Sequence, residues 1–218
     1  MYKTNSIVKI CCIQDIEEAN TAISYGARAI GLVSKMPSGP GPIPEEKIAE
    51  IASSVPPCIA SFLLTSETDP VKIIAQQKFC KTNTIQLVDS VELYAIRELK
   101  NNLPGIKIVQ VIHVNNRGSI GKALEVSTEA DAILLDSGNQ ELKIKELGGT
   151  GRVHDWNISR EIREKVNCPV FLAGGLTAGN VKEAIKIVRP FGVDICSGVR
   201  TNHKLNENKL KRFMKAVK

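Results

Sequence analysis

Eight times along its 218 residues this chain repeats one pattern: a short run of apolar, largely β-branched residues, then a segment whose apolar residues recur at helical spacing. The spacing predicts strands over 7–11, 27–33, 58–64, 84–87, 106–112, 132–135, 169–173 and 193–196. Helices are expected over 15–25, 44–54, 69–79, 90–100, 117–126, 157–166, 178–188 and, at the end, 204–218. Asp15 is the right residue to cap the first helix and Gly26 to stop it, while Pro44 suits a first helical position. Strict alternation of this kind requires parallel strands joined by right-handed crossovers, and near-continuous apolar strands are those buried on both faces. An open doubly wound sheet normally stops at five or six strands, and no Gly-x-Gly-x-x-Gly follows the first strand. Eight units of about 27 residues fit an α/β fold closed as a single (β/α)8 TIM barrel, read as one domain over 1–218.

Composition narrows the function classes. No stretch reaches the roughly 18 consecutive apolar residues of a membrane span, and residues 1–6 lack the apolar core of a secretory signal, so the reading is cytoplasmic with no membrane partner. Cys11, Cys12, Cys58, Cys80, Cys168 and Cys196 form no Cys-x-x-Cys pair and have no clustered histidines, which speaks against a disulfide framework or a zinc site. Cys58, Cys80, Cys168 and Cys196 read as small buried hydrophobes. A net charge of +6 raises nucleic acid as a partner, but aromatics make up only 4 % of the chain. The densest basic run, 204–218, carries Leu205, Leu210, Phe213, Met214 and Val217 at helical spacing and reads as the solvated side of a terminal helix.

In a parallel barrel the chemistry gathers where strands end. Those ends carry Lys9, Cys11 and Cys12, then Gln86 and Val88, His113, Asp136, Gly174 and Gly175, and Ser197 and Gly198. Glycine turns after the seventh and eighth strands, each opening towards a helix, are where such barrels bind phosphate through backbone N–H groups. Cys11 and Asp136 would enter one mouth from nearly opposite sides. A thiol lowered by a nearby cation can act as a base, and a carboxyl kept protonated by apolar surroundings can donate a proton. Lys9, two residues before Cys11 on the same face of its strand, could be that cation.

The same residues carry a family resemblance. Lys-Ile-Cys at 9–11, Leu-Leu-Asp at 134–136, Gly-Gly-Thr-Gly at 148–151 with Asp155-Trp156, Leu-Ala-Gly-Gly-Leu-Thr at 172–177 with Asn180-Val181, and Val-Asp-Ile-Cys-Ser-Gly-Val at 193–199 together resemble phosphoribosylanthranilate isomerases. The resemblance spans nearly the whole chain. It implies an aldose–ketose isomerase of tryptophan biosynthesis, a (β/α)8 barrel that rearranges N-(5-phosphoribosyl)anthranilate to 1-(o-carboxyphenylamino)-1-deoxyribulose 5-phosphate without metal or organic cofactor. By position it makes Asp136 the general acid and Cys11 the general base, with the phosphate at Gly174, Gly175, Ser197 and Gly198. Lys9, Gln86, Gly149, Gly151 and Arg200 are the expected substrate contacts, the loop over 148–151 closing on a small phosphorylated molecule.

Four segments depart from the family. Cys12 and Gln14 stand where Gly and Thr are usual. The loop after the second strand reads Ser38-Gly-Pro-Gly-Pro-Ile-Pro44, with no arginine for the anthranilate carboxylate. Gln86-Leu-Val-Asp89 replaces Gln-Leu-His-Gly, and Arg200 replaces a glutamate. Either Arg200, Lys35 or Arg152 supplies the missing cation, or the aglycone pocket has changed, with His113 and His154 as new pocket residues, giving a related sugar-phosphate isomerase. A catalytically silent phosphate-binding barrel is the alternative of another class; both Cys11 and Asp136 being present argues against it. Monomer and homodimer both remain open.

Overall fold

Period-two alternation decides what each strand shows to the inside. The structure, a computed structural model, describes residues 6–138 and 152–218. Eight parallel strands form a closed barrel in chain order: β1 (Ile7–Ile10), β2 (Ala29–Val33), β3 (Ala60–Thr65), β4 (Thr84–Leu87), β5 (Lys107–His113), β6 (Ala132–Asp136), β7 (Val170–Leu172) and β8 (Gly192–Ile195). Closure comes from β8 pairing back onto β1, which sets Lys9 opposite Asp194. Outward residues such as Ile10, Ile30, Leu63, Ile133 and Leu172 form the main core under the helices. Inward residues Ala29, Val33, Phe62, Leu64, Val109, Val111, Leu134 and Phe171 fill the barrel, Phe62 and Phe171 meeting edge to face at 6.0 Å.

Around the sheet run α1 (Ile16–Ser24), α2 (Glu45–Ser54), α3 (Pro70–Cys80), α4 (Leu93–Asn102), α5 (Gly118–Val126), α6 (Trp156–Lys165), α7 (Val181–Val188) and α8 (Glu207–Val217). Four of these helices start on a capping side chain, with Asp15, Asp69, Asp155 and Asn206 each accepting a backbone N–H of its helix's first turn. In α8, Leu210, Phe213 and Met214 are buried while the lysines face solvent, as the spacing predicts.

Three local expectations need correction. Pro44 lies at the N-cap of α2, with Glu45 the first helical residue. Helix α7 starts at Val181 because Asn180 Oδ1 accepts the Thr177 N–H at 2.7 Å and holds 177–180 as a turn. Cys58 belongs to no strand: it is exposed at the turn before β3, with φ +72°. A two-stranded hairpin, β9 (Arg200–Thr201) with β10 (Lys204–Leu205), was also not expected. It turns through Asn202 and His203, both at positive φ, the conformation that matches the twist of a tight hairpin.

Candidate active site

The interior face ends, at the C-terminal rim, in a cavity lined by Cys11, Cys12, Gln86, Asp136, Gly174, Gly175, Asp194, Cys196 and Ser197, with Ser38, Gly39 and Pro40 of the β2–α2 loop forming one wall. Eight of the expected site residues (Cys11, Gln86, Asp136, Gly174, Gly175, Ser197, and the neighbouring Lys9 and Gly198) therefore surround or directly support one mouth. Gly149 and Gly151 lie outside the described residues.

Lys9 does not line the cavity. Fully buried beneath it, Lys9 Nζ pairs with Asp194 Oδ1 at 3.0 Å and sits 5.0 Å from the centre of the Phe62 ring. Opposite on β2, Gly31 leaves the space: a Cβ there would stand 2.8 Å from Cys11 Sγ and 3.0 Å from Lys9 Nζ. The ammonium and the thiol thus share one glycine-walled niche. Burial works against the Lys9 charge, but Asp194 and the Cys11 thiol outweigh it and hold the lysine protonated. The neighbouring Cys12 thiol lowers the Cys11 pKa most; burial opposes this and Lys9 lowers it further, leaving it below the ordinary 9.0. Cys12, whose Sγ donates to Pro40 O at 3.6 Å, is itself pushed up by the neighbouring Cys11 and Cys196 thiols and by burial, so of this pair Cys11 is the thiol poised to ionise.

Asp136 is poised the other way. Loss of solvent raises its pKa above 3.8, offset in part by the Ser137 N–H at 2.7 Å and by His113, the residue paired with it in the β5–β6 register. Gly174, at φ +82°, closes against it: a Cβ would come within 3.2 Å of Asp136 Oδ1 and 2.9 Å of His154 Nδ1. His154, its other ring nitrogen 2.7 Å from Ser159 Oγ, is brought down to about 4 by burial and is neutral. Gly175 follows at φ +60°, and neither glycine N–H donates to a backbone carbonyl among the described residues. After β8, residues 197–199 make a short 3-10 helix, the second glycine-bearing turn.

Arg200 occupies a different post from the expected one. Its Nη2 lies 2.7 Å from Glu18 Oε2 and its Nη1 3.0 Å from Glu18 Oε1, and it donates to the carbonyls of Cys11, Cys12 and His203. Glu18 also accepts the N–H groups of Gln14 and Leu205. The guanidinium is therefore a buried brace behind the β1–α1 turn, not a cation in the mouth. That brace explains how Cys12 fills a glycine position: it is held at φ +63°, against Gly41, where a Cβ would stand 2.6 Å from Cys12 Cβ. Gln14 Nε2 ties the same turn to the next loop, donating to Cys12 O at 3.2 Å and Gly41 O at 3.1 Å.

Two mouth residues escaped the sequence reading. Asp194 could have been suspected as a lone carboxylate in an apolar strand, since such a charge needs a partner. Cys196, read as inert, is half-buried in the cavity wall beside Cys12.

A (β/α)8 barrel that gathers an ionisable thiol, a carboxyl of raised pKa and two glycine turns at one mouth defines an acid–base enzyme acting on a small molecule. The family model for N-(5'phosphoribosyl)anthranilate (PRA) isomerase matches residues 8–216, and the chain belongs to this family of isomerases. It is 36% identical over 212 residues to N-(5'-phosphoribosyl)anthranilate isomerase of Methanocella arvoryzae, covering 97% of each chain. Isomerase 2 of Methanosarcina mazei is 36% identical over 97% of this chain and 93% of its own. Among solved structures, phosphoribosyl anthranilate isomerase from Thermotoga maritima superposes with TM-score 0.84 at 29% identity, over 97% of this chain and 98% of that one. A phosphoribosyl anthranilate isomerase in complex with reduced 1-(o-carboxyphenylamino)-1-deoxyribulose 5-phosphate superposes with TM-score 0.81 at 27% identity.

Proposed function

We propose that this isomerase performs the Amadori rearrangement of N-(5'-phosphoribosyl)anthranilate with Asp136 as acid and Cys11 as base. The observation that carries the assignment is that both line one cavity with their pKa values displaced in the directions the chemistry needs, the thiol downwards and the carboxyl upwards. Protonated Asp136 gives its proton to the furanose ring oxygen as the C1–O bond breaks, leaving an open-chain iminium. The Cys11 thiolate takes the proton from C2, and its electron pair moves to form an enolamine. The enolamine then tautomerises, gaining a proton at C1 and losing the enol proton, to give the ketone. Lys9 keeps the thiolate available without touching substrate, and the Arg200–Glu18 brace holds the turn that presents it.

The phosphate fits the N–H groups of Gly174 and Gly175 with the turn at Ser197 and Gly198, the usual phosphate position in such barrels. Gln86, with a buried Oε1 that has no partner among the described residues, is suited to a sugar hydroxyl. With Arg200 committed to Glu18, Lys35, exposed on the loop that forms the cavity wall, is the better candidate for the anthranilate carboxylate. The chain is read as a cytoplasmic monomer or homodimer without a nucleic-acid partner. In support, no described helix is long and apolar enough to cross a membrane, and the basic run of α8 is the outer side of a helix packed on the core. One solved relative, from Thermotoga maritima, is a monomeric form generated from a dimeric isomerase.

A fluorescence assay tests this reading directly. Purified protein mixed with N-(5'-phosphoribosyl)anthranilate is expected to abolish the anthranilate fluorescence catalytically. A decay no faster than in buffer would remove the assignment.

A further inference from the structure

The mouth holds more thiols than the rearrangement needs. Cys11, Cys12 and Cys196 all line its cavity, although they lie at opposite ends of the sequence. Closure of the barrel is what joins them. In the β1–β8 ladder Ile10 stands opposite Ile195, and the Cys11 N–H carries the ladder on by donating to Ile195 O at 2.8 Å. One residue further along, Cys11 and Cys196 therefore sit side by side on neighbouring strands, at a backbone spacing of about 5 Å. That spacing falls within the Cα separation a disulfide spans, roughly 4.4–6.8 Å. The two-residue period turns both side chains inward, Cys11 on the face of Lys9 and Cys196 on the face of Asp194.

Both thiols are free, and Cys11 Sγ leans the other way, into the space left by Gly31 on β2, where a Cβ would stand 2.8 Å from it. Rotation about its first side-chain torsion swings Sγ through the cavity towards β8 without moving the backbone. The thiolate, not the thiol, attacks a peroxide, and Cys11 is the thiol whose pKa is held down. Any compound that reaches the base must pass through this mouth, and hydrogen peroxide is smaller than a sugar phosphate. Cys12 is the poorer partner for Cys11: a bond between chain neighbours closes a strained ring across one planar peptide, and Cys12 Sγ is turned to Pro40 O. Elsewhere, burial pushes the Cys80 thiol up to about 12 and raises that of Cys168, while Cys58 is exposed before β3 at the far end of the barrel.

We propose that Cys11 and Cys196 form a redox modification site, oxidised by hydrogen peroxide to a reversible disulfide that closes the mouth. The Cys11 thiolate attacks one peroxide oxygen, the O–O bond breaks and hydroxide leaves, giving a sulfenic acid on Cys11. Cys196 loses its proton as its sulfur attacks Cys11 Sγ; the S–S bond forms, the S–O bond breaks, and the displaced hydroxyl leaves with a proton as water. In total two thiols give two electrons and two protons to one peroxide, which becomes two waters. A dithiol reverses the bond by exchange.

Peptide mapping of the full chain under non-reducing conditions, after a few-fold excess of hydrogen peroxide, tests the proposal. The wild type should yield the peptide carrying Cys11 linked to the peptide carrying Cys196, and dithiothreitol should separate them. Cys12→Gly, which suits the backbone at φ +63°, should form the same link. Cys196→Ser should stop at a sulfenic acid on Cys11 that dimedone traps, and without the trap should pass on to sulfinic acid, so that dithiothreitol recovers at least about fivefold less Cys11 thiol than in the wild type. Absence of the linked peptide from the wild type, its loss in Cys12→Gly, its persistence in Cys11→Ala, or equal recovery of Cys11 in wild type and Cys196→Ser would each overturn the proposal. No step of the mapping involves turnover, so its failure is distinguishable from failure of the isomerase reading.

Discussion

Replacing Lys9 by methionine removes the ammonium but keeps the length of the side chain in a niche with no solvent access. Asp194, 8 % exposed, loses the partner that stood at 3.0 Å. Breaking a buried ion pair from one side costs about 3–5 kcal/mol, because it strands the other charge. For a chain of this length each kcal/mol moves the melting temperature by roughly 2–4 °C, so Lys9→Met should melt roughly 6–20 °C lower. The double variant Lys9→Met/Asp194→Leu leaves no charge to strand and should recover most of that loss, since apolar replacement of a buried pair is often neutral or stabilising. Activity should not recover with it. Lys9 lowers the Cys11 pKa more than Asp194 raises it, so loss of both leaves the thiol less ionised at neutral pH. Thermal unfolding measured beside kcat for the wild type, the single and the double variant separates the two roles. A double variant that is stable and fully active at pH 7 would refute the claim that this cation sustains the base, and an unshifted melting temperature for Lys9→Met would refute the buried-pair account.

Further outcomes follow from the same geometry. Asp136→Asn should lose turnover yet be more stable at neutral pH: a carboxyl with its folded pKa raised above 3.8 favours the fold below that value and loses this advantage as pH rises through the folded pKa, a cost the amide avoids. Chemical denaturation at pH 7 and pH 4 checks it, the gap between the two proteins narrowing at the lower pH. Gly174→Ala should lower stability by about 1–3 kcal/mol and depress kcat, because the backbone is at φ +82° and the new methyl meets Asp136 and His154; equal melting of variant and wild type would contradict this. Lys35→Met should raise KM up to about fivefold with kcat nearly unchanged, the size of an exposed ion pair; unchanged steady-state constants would remove Lys35 from carboxylate binding.

How much of this was legible in the sequence depends on the distance over which each feature is decided. Strand 84–87 emerges with the expected bounds, and Asp15 caps α1 as expected, because alternation and capping are local. The inward alignment of Lys9 and Cys11 follows from the two-residue period alone. Helix α4 begins at Leu93, not at 90, since 90–92 are taken up by the loop leaving β4. Arg200 could not be placed from sequence: its partner Glu18 is 182 residues away, and a hairpin turned by two residues at positive φ brings them together. Nor could Cys12 at a glycine position, because what tolerates it is the bare face of Gly41 on another loop. Side-chain partners chosen across the barrel are tertiary facts, whereas the barrel itself is written in repeat and period.

The central claim is that one thiol and one carboxyl move the two protons of the rearrangement. Its most direct test is kcat for Cys11→Ala and Asp136→Ala on N-(5'-phosphoribosyl)anthranilate, with the affinity of each variant for the reduced product analogue measured alongside. Each variant is predicted to lose about 10²–10⁴-fold in kcat while still binding the analogue. Wild-type turnover by either correctly folded variant would contradict the account.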